Sequence, residues 1–124
     1  MSDEQQIEKT LRTYFECMYE SHAEKAHAVF HSNARITGFV EGSLREMTVS
    51  DFANLVGSQL PSAKEQDETP RADILSIDIA GDTAVARVRD EFLEKTFLDT
   101  LSLIKDGGRW RIYNKLFHVE GPAG

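Results

Sequence analysis

Three consecutive segments, Thr83 to Leu93, Lys95 to Ile104 and Arg109 to Val119, each read as a strand of about ten residues, long for a strand. Lys105-Asp106-Gly107-Gly108 supplies the turn before the last of them. An earlier stretch with Ile74, Leu75, Ile77 and Ile79 joins them through Gly81-Asp82, where glycine tolerates the positive φ of a tight hairpin. Strands this long twist and curl. A curled sheet needs a second layer over its apolar face, so the remainder of the chain has to provide helices.

The N-terminal half provides three. Ser2 with Gln5 forms a capping pattern, and Ile7, Leu11, Tyr14, Phe15 and Met18 recur on one face of a helix running to about Glu20. Ser21 with Glu24 repeats the pattern before Ala23, Ala26 and Phe30, which predicts a short helix ending near His31-Ser32-Asn33. Ala34 to Val40 reads as a strand whose central Gly38 signals a bulge, a bend or close approach by another group. Ser43 to Met47 is a weakly marked return strand. Thr48 with Asp51 then caps a third helix carrying Phe52, Leu55, Val56 and Leu60, which Pro61 stops. Pro61 to Arg71 has the acidic, proline-containing composition of a solvated loop, expected to be mobile.

A chain of 124 residues, 40% of them hydrophobic, can build one core and not two. We therefore expect a single α+β domain over residues 1–124, a curved antiparallel sheet forming a cone covered by three N-terminal helices. The formal net charge of -7 repels phosphate backbones and anionic headgroups, which argues against nucleic acid or membrane partners. Cys17 is the only cysteine and cannot form an internal disulfide. No charged leader precedes an apolar run, so a cytoplasmic location is expected. The histidines lack the spacing of a metal site, and neither metal nor cofactor is expected.

Polar side chains on apolar faces are the candidates for chemistry. Asp99 shares strand parity with Phe97, Leu101 and Leu103; a carboxylate there must be paired, protonated or used, and we expect the neutral acid. Tyr14 and Met18 lie on the buried face of the first helix, Tyr14 being either a core tyrosine or a pocket donor. Strict alternation from Trp110 places Asn114 and His118 on the inner face of the last strand, as pocket groups or as a satisfied amide and a rim histidine. Asp90 follows the same logic but sits between charged Arg89 and Glu91 and ranks lower. The opposite set, Arg111, Tyr113, Lys115, Phe117 and Val119, with Arg87, Arg89, Glu91 and Leu93, is expected outside, as a homodimer interface that buries Tyr113 and Phe117.

Val29-Phe30-His31 leading into Ala34-Arg35-Ile36, Gly81-Asp82-Thr83-Ala84 and Asp106-Gly107-Gly108-Arg109-Trp110-Arg111-Ile112 together resemble the nuclear transport factor 2-like superfamily, also called SnoaL-like or cystatin-like, over nearly the whole chain. Asp99-Thr100-Leu101-Ser102-Leu103 and Asn114-Lys115-Leu116-Phe117-His118 look most like its branch labelled "putative lumazine-binding". The resemblance implies a cone around a pocket for a small apolar or aromatic molecule. Set beside the ketosteroid isomerase pattern, Tyr14 and Asp99 fall on the oxyanion-hole positions, while the general-base position falls on Gly38, which moves no proton. The first functional expectation is therefore a pocket protein without demonstrated catalysis, with ligand contacts at Tyr14, Met18, Asp99, Asn114 and His118. The alternatives are a lyase or isomerase using Tyr14 and Asp99 as an oxyanion hole, and a dimeric adaptor domain.

Overall fold

The computed structural model describes residues 1–124. Three helices, α1 (Asp3–Tyr19), α2 (Ala23–Val29) and α3 (Val49–Gly57), cover one face of a curved, unclosed sheet. Its strands are β1 (Phe30–Val40), β2 (Ser43–Thr48), β3 (Ala72–Ala80), β4 (Thr83–Phe92), β5 (Lys95–Asp106) and β6 (Arg109–Pro122), in the spatial order β2-β1-β6-β5-β4-β3. The pairing departs from the all-antiparallel expectation at one place, where β1 and β6 run parallel. One cluster of 22 buried apolar residues fills the space between the layers.

The caps at Ser2 and Thr48 form as the sequence predicts, each with the reciprocal side-chain bond from Gln5 or Asp51. The predicted cap at Ser21 does not form. Ser21 instead belongs to the turn that ends α1, with φ 53°, and its hydroxyl donates to the Gln59 carbonyl while His22 occupies the cap position. The second helix also ends earlier than predicted. Phe30 is already extended and pairs with Ile112, which directs its ring into the core against Tyr14 and Phe52, at centroid separations of 5.8 and 5.6 Å. The loop after α3 is tied down at several points: the Lys64 amide donates to the Tyr19 carbonyl, the Tyr19 hydroxyl to the Glu68 carbonyl, and Ser62 with Glu65 forms its own reciprocal cap.

A β-bulge on β6 decides what faces the core. Leu103 pairs with Ile112 and Ser102 with Asn114, so Tyr113 is an extra residue with no partner of its own. Two successive residues, Tyr113 and Asn114, then lie on the outer side, and alternation resumes with its parity reversed. Lys115 and Phe117 turn inward; Leu116 and His118 turn outward. Gly38 shows why a side chain is missing opposite this segment. It pairs with Phe117, and a Cβ built on it would meet the Phe117 carbonyl oxygen at 2.5 Å and the ring at 2.6 Å. Close approach, rather than a bulge or bend, is what this glycine permits.

Candidate functional site

The inner face of the sheet carries three ionisable groups on adjacent strands. Val88 pairs with Asp99 and Asp90 with Phe97, while Asp99 pairs with Phe117 and Leu101 with Lys115. Asp90, Asp99 and Lys115 therefore step diagonally across β4, β5 and β6. All three are buried, Asp90 to 3% exposure and Lys115 to 5%. The α1 helix lays Tyr14 over them, because positions 7, 11, 14 and 18 share the face that packs on the sheet.

Pairing satisfies Asp99 in part. The Tyr14 hydroxyl donates to Asp99 Oδ2 at 2.7 Å, and Lys115 Nζ lies 3.9 Å from the same oxygen. Of the three fates open to a buried carboxylate, this one is paired. Burial, and then the charges of Asp99 and Asp90, push the Tyr14 hydroxyl well above the ordinary tyrosine range. The carboxyl that its surroundings push toward the neutral form is Asp90. Neither of its oxygens has a hydrogen-bond partner, and burial, reinforced by the Asp99 charge, lifts its carboxyl well above the ordinary range. Lys115 Nζ sits over the rings of Phe52, Tyr14 and Phe117, at 4.5, 5.0 and 6.0 Å from their centroids.

A cleft of about 800 Å³ opens at one end of the cone, where the end of α1, the loop after α3 and the β4–β5 turn converge. Met18, Phe15 and Phe92 give it an apolar wall and Asp90 reaches it from the sheet. Tyr14 and Asp99, both fully buried, do not line it. Their hydrogen bond to each other closes them off, so the arrangement differs from an oxyanion hole, whose two donors face a ligand.

The expected site residues thus divide. Met18 lines the cleft and Tyr14 and Asp99 stand behind it, whereas Asn114 and His118 lie across the bulge on the outer side of the sheet, beside Ser102 and Leu98. The parity argument placed them inside because it assumed a regular strand. The same assumption placed Lys115 and Phe117 in an outer interface; both are inside, and Tyr113 alone of the two aromatics stays outside, against the His31 ring at 5.1 Å. Lys115 went unrecognised for that reason. Cys17 is a buried thiol pushed up to about 12 by burial, which leaves it unreactive. No group of three or more potential metal-ligating side chains is present.

A mixed sheet wrapped by three helices, with a cleft at its open end, is the architecture of the nuclear transport factor 2-like proteins, and residues 2–118 match the family described as "Putative lumazine-binding". The chain belongs to that family, within the nuclear transport factor 2-like superfamily. A solved NTF2-like protein of unknown function from Methylobacillus flagellatus is 30% identical, with a TM-score of 0.84 over 98% of this chain and 96% of that one. Another from Silicibacter pomeroyi superposes with a TM-score of 0.86 over 97% and 100%, at 22% identity, a likeness of fold. Among curated proteins, the aldolase FrzH of Cladobotryum is 26% identical over 111 residues, covering 88% of this chain and 85% of that protein.

Proposed function

We propose that the protein binds a neutral, largely apolar or aromatic molecule in the cleft and holds a ligand carbonyl oxygen with the neutral carboxyl of Asp90. One observation carries this reading: Asp90 lines the cleft while 3% exposed, with both side-chain oxygens unpartnered. Buried polar groups are ordinarily hydrogen-bonded, and a neutral acid donates. The rim favours the same ligand class. Glu16, Glu68, Glu91 and Glu94 surround the opening and Arg71 is its single cation, engaged by Glu91 at 3.9 Å, so an anionic ligand meets repulsion. The family's description names lumazine, a fused aromatic ring bearing carbonyl groups, which has this chemistry. Titration of lumazine, followed by its fluorescence, tests the reading. Saturable binding weakened by Asp90→Leu is expected, the loss of one hydrogen bond costing about 1 kcal/mol, or roughly five-fold in affinity. Equal affinity of the two proteins, or no binding of lumazine to either, would refute it.

A second reading, an enzyme acting at a carbonyl group, is favoured by the likeness to an aldolase. An acid that donates to a carbonyl oxygen also polarises its carbon, so the two readings share one site. We also propose that the protein is a homodimer through the outer sheet face. The exposed side chains there include Phe39 beside Leu44, Leu116 between Thr37 and Thr100, and His118 beside Leu98, with Arg87 and Arg89 on the neighbouring strand. Phe39, Leu44 and Leu116 give this face an apolar strip and Arg89 is paired with Glu120 at 2.7 Å, so a second copy meets a mixed aromatic, aliphatic and arginine surface of the kind that interfaces use. Sedimentation of the wild type and Leu116→Glu decides it; a wild-type monomer at micromolar concentration removes the proposal.

A further inference from the structure

Hydrogen-bond donors and acceptors are unevenly supplied along the depth of the cleft. At its inner end stands Asp90, buried with both oxygens unpartnered, the group to which the reading above gives a donating role. Toward the mouth, most side-chain donors are already engaged within the protein. The Tyr19 hydroxyl donates to the Glu68 carbonyl at 2.6 Å, the Ser21 hydroxyl to the Gln59 carbonyl at 2.5 Å, and the Gln66 amide to the Pro61 carbonyl at 2.9 Å. Arg71 is held by the Gly124 carbonyl at 2.6 Å, and only the Thr69 hydroxyl, which also accepts, stays free. Acceptors are left over: Glu68 and Glu94 are exposed at the mouth, and their carboxylates meet no donor of the chain. Such carboxylates alone would be a solvated rim. The unpartnered Asp90 behind them, in the same cavity, makes them the outer part of a site. At about 800 Å³ the cleft also lies toward the upper end of the about 300–1,000 Å³ usual for ligand pockets, so a two-ring molecule seated at Asp90 leaves the mouth unfilled.

We infer that the ligand carries an uncharged, hydroxylated chain on the side of its ring away from the carbonyl held by Asp90, and that Glu68 and Glu94 accept hydrogen bonds from those hydroxyls. The inference rests on the pocket reading above, which takes a neutral ligand, and names the outer end that reading leaves open. A hydroxyl that donates to a carboxylate makes a short bond, roughly twice as strong as one between neutral groups. An anionic substituent in the same place brings no donor and faces the carboxylates of the rim. The two ends of the ligand therefore need opposite chemistry, an acceptor at depth and donors at the mouth. That requirement fixes which edge of the ring enters first.

Pterin, neopterin and carboxypterin test this, because they share one fluorescent, carbonyl-bearing ring and differ at a single position, which is bare, trihydroxypropyl or carboxylate. Fluorescence titration of the wild-type protein should find neopterin about ten-fold tighter than pterin, and carboxypterin weaker than either. In the double variant Glu68→Ala with Glu94→Ala the advantage of neopterin should disappear, while pterin, an uncharged ring without donors for the mouth, binds as before. Equal affinity for pterin and neopterin, an advantage that survives in the double variant, or carboxypterin as the tightest of the three overturns the inference. Lumazine titration of the same preparation separates the two proposals: binding that depends on Asp90, beside pterin and neopterin held equally, removes the hydroxylated chain and leaves the pocket standing. If neither lumazine nor any of the pterins binds, the pocket reading falls and the chain with it.

Discussion

Replacing Asp90 with asparagine keeps the shape of the side chain and removes its ionisation, which isolates the energetic consequence of burying an acid at the end of the cleft. Burial, and then the neighbouring Asp99 charge, raise its folded pKa above the ordinary value of 3.8. The folded state therefore keeps a proton that the unfolded state releases. Stability from this group is complete below 3.8 and is lost as pH rises through the folded value. Within that window one proton separates the two states, a slope of about 1.4 kcal/mol per pH unit. The surface carboxyls of Asp3 and Glu20 run the opposite way, since their hydrogen-bond donors lower them: Trp110 and then Lys105 for Asp3, Lys25 for Glu20. They are common to both proteins and cancel in a difference. Urea denaturation of wild type and Asp90→Asn at intervals between about pH 4 and 8 gives that difference directly. The wild type should lose stability relative to the variant as pH rises, at a slope approaching one proton. Parallel stability curves would show that Asp90 ionises as freely in the fold as outside it, and the account of the cleft would fail.

Gly38→Ala should destabilise the fold by about 1–3 kcal/mol, because its Cβ would meet a backbone oxygen at 2.5 Å that cannot rotate away; a neutral result in thermal denaturation would mean that β1 and β6 separate at no cost. Tyr14→Phe removes the donor to Asp99 Oδ2 and should cost about 1–3 kcal/mol in the same assay, with unchanged stability showing that the 2.7 Å bond contributes nothing net.

Much of this arrangement is legible from local pattern. The Ser2 and Thr48 caps, the stripe through Tyr14 and Met18, the hairpin at Gly81 and the parity that buries Asp99, Leu101 and Leu103 all follow from rules acting over a few residues. Asp90 was readable too, and its charged flanks were misleading. Arg89 points outward to Glu120 at 2.7 Å, and such alternation is what an inward Asp90 requires. Asn114, His118 and Lys115 were not readable, since the Tyr113 bulge contains no glycine or proline and arises from how β6 meets β5 and β1 together. The early end of α2 has a similar origin, because Phe30 is drawn into a strand by the core that it completes.

The bulge makes the length of β6 a chemical variable. A chain one residue shorter at Tyr113 would run as a regular strand and still present Lys115 to the interior, since Ser102 opposite Asn114 and Leu101 opposite Lys115 already fit a continuous ladder. A chain of equal length whose strand is regular would instead present the residue at position 114, exchanging an amine for an amide with every side chain unchanged. Comparing such chains letter by letter would miss the exchange. Counting residues from the turn at Gly107 and Gly108, and asking how many strand positions they occupy, would reveal it.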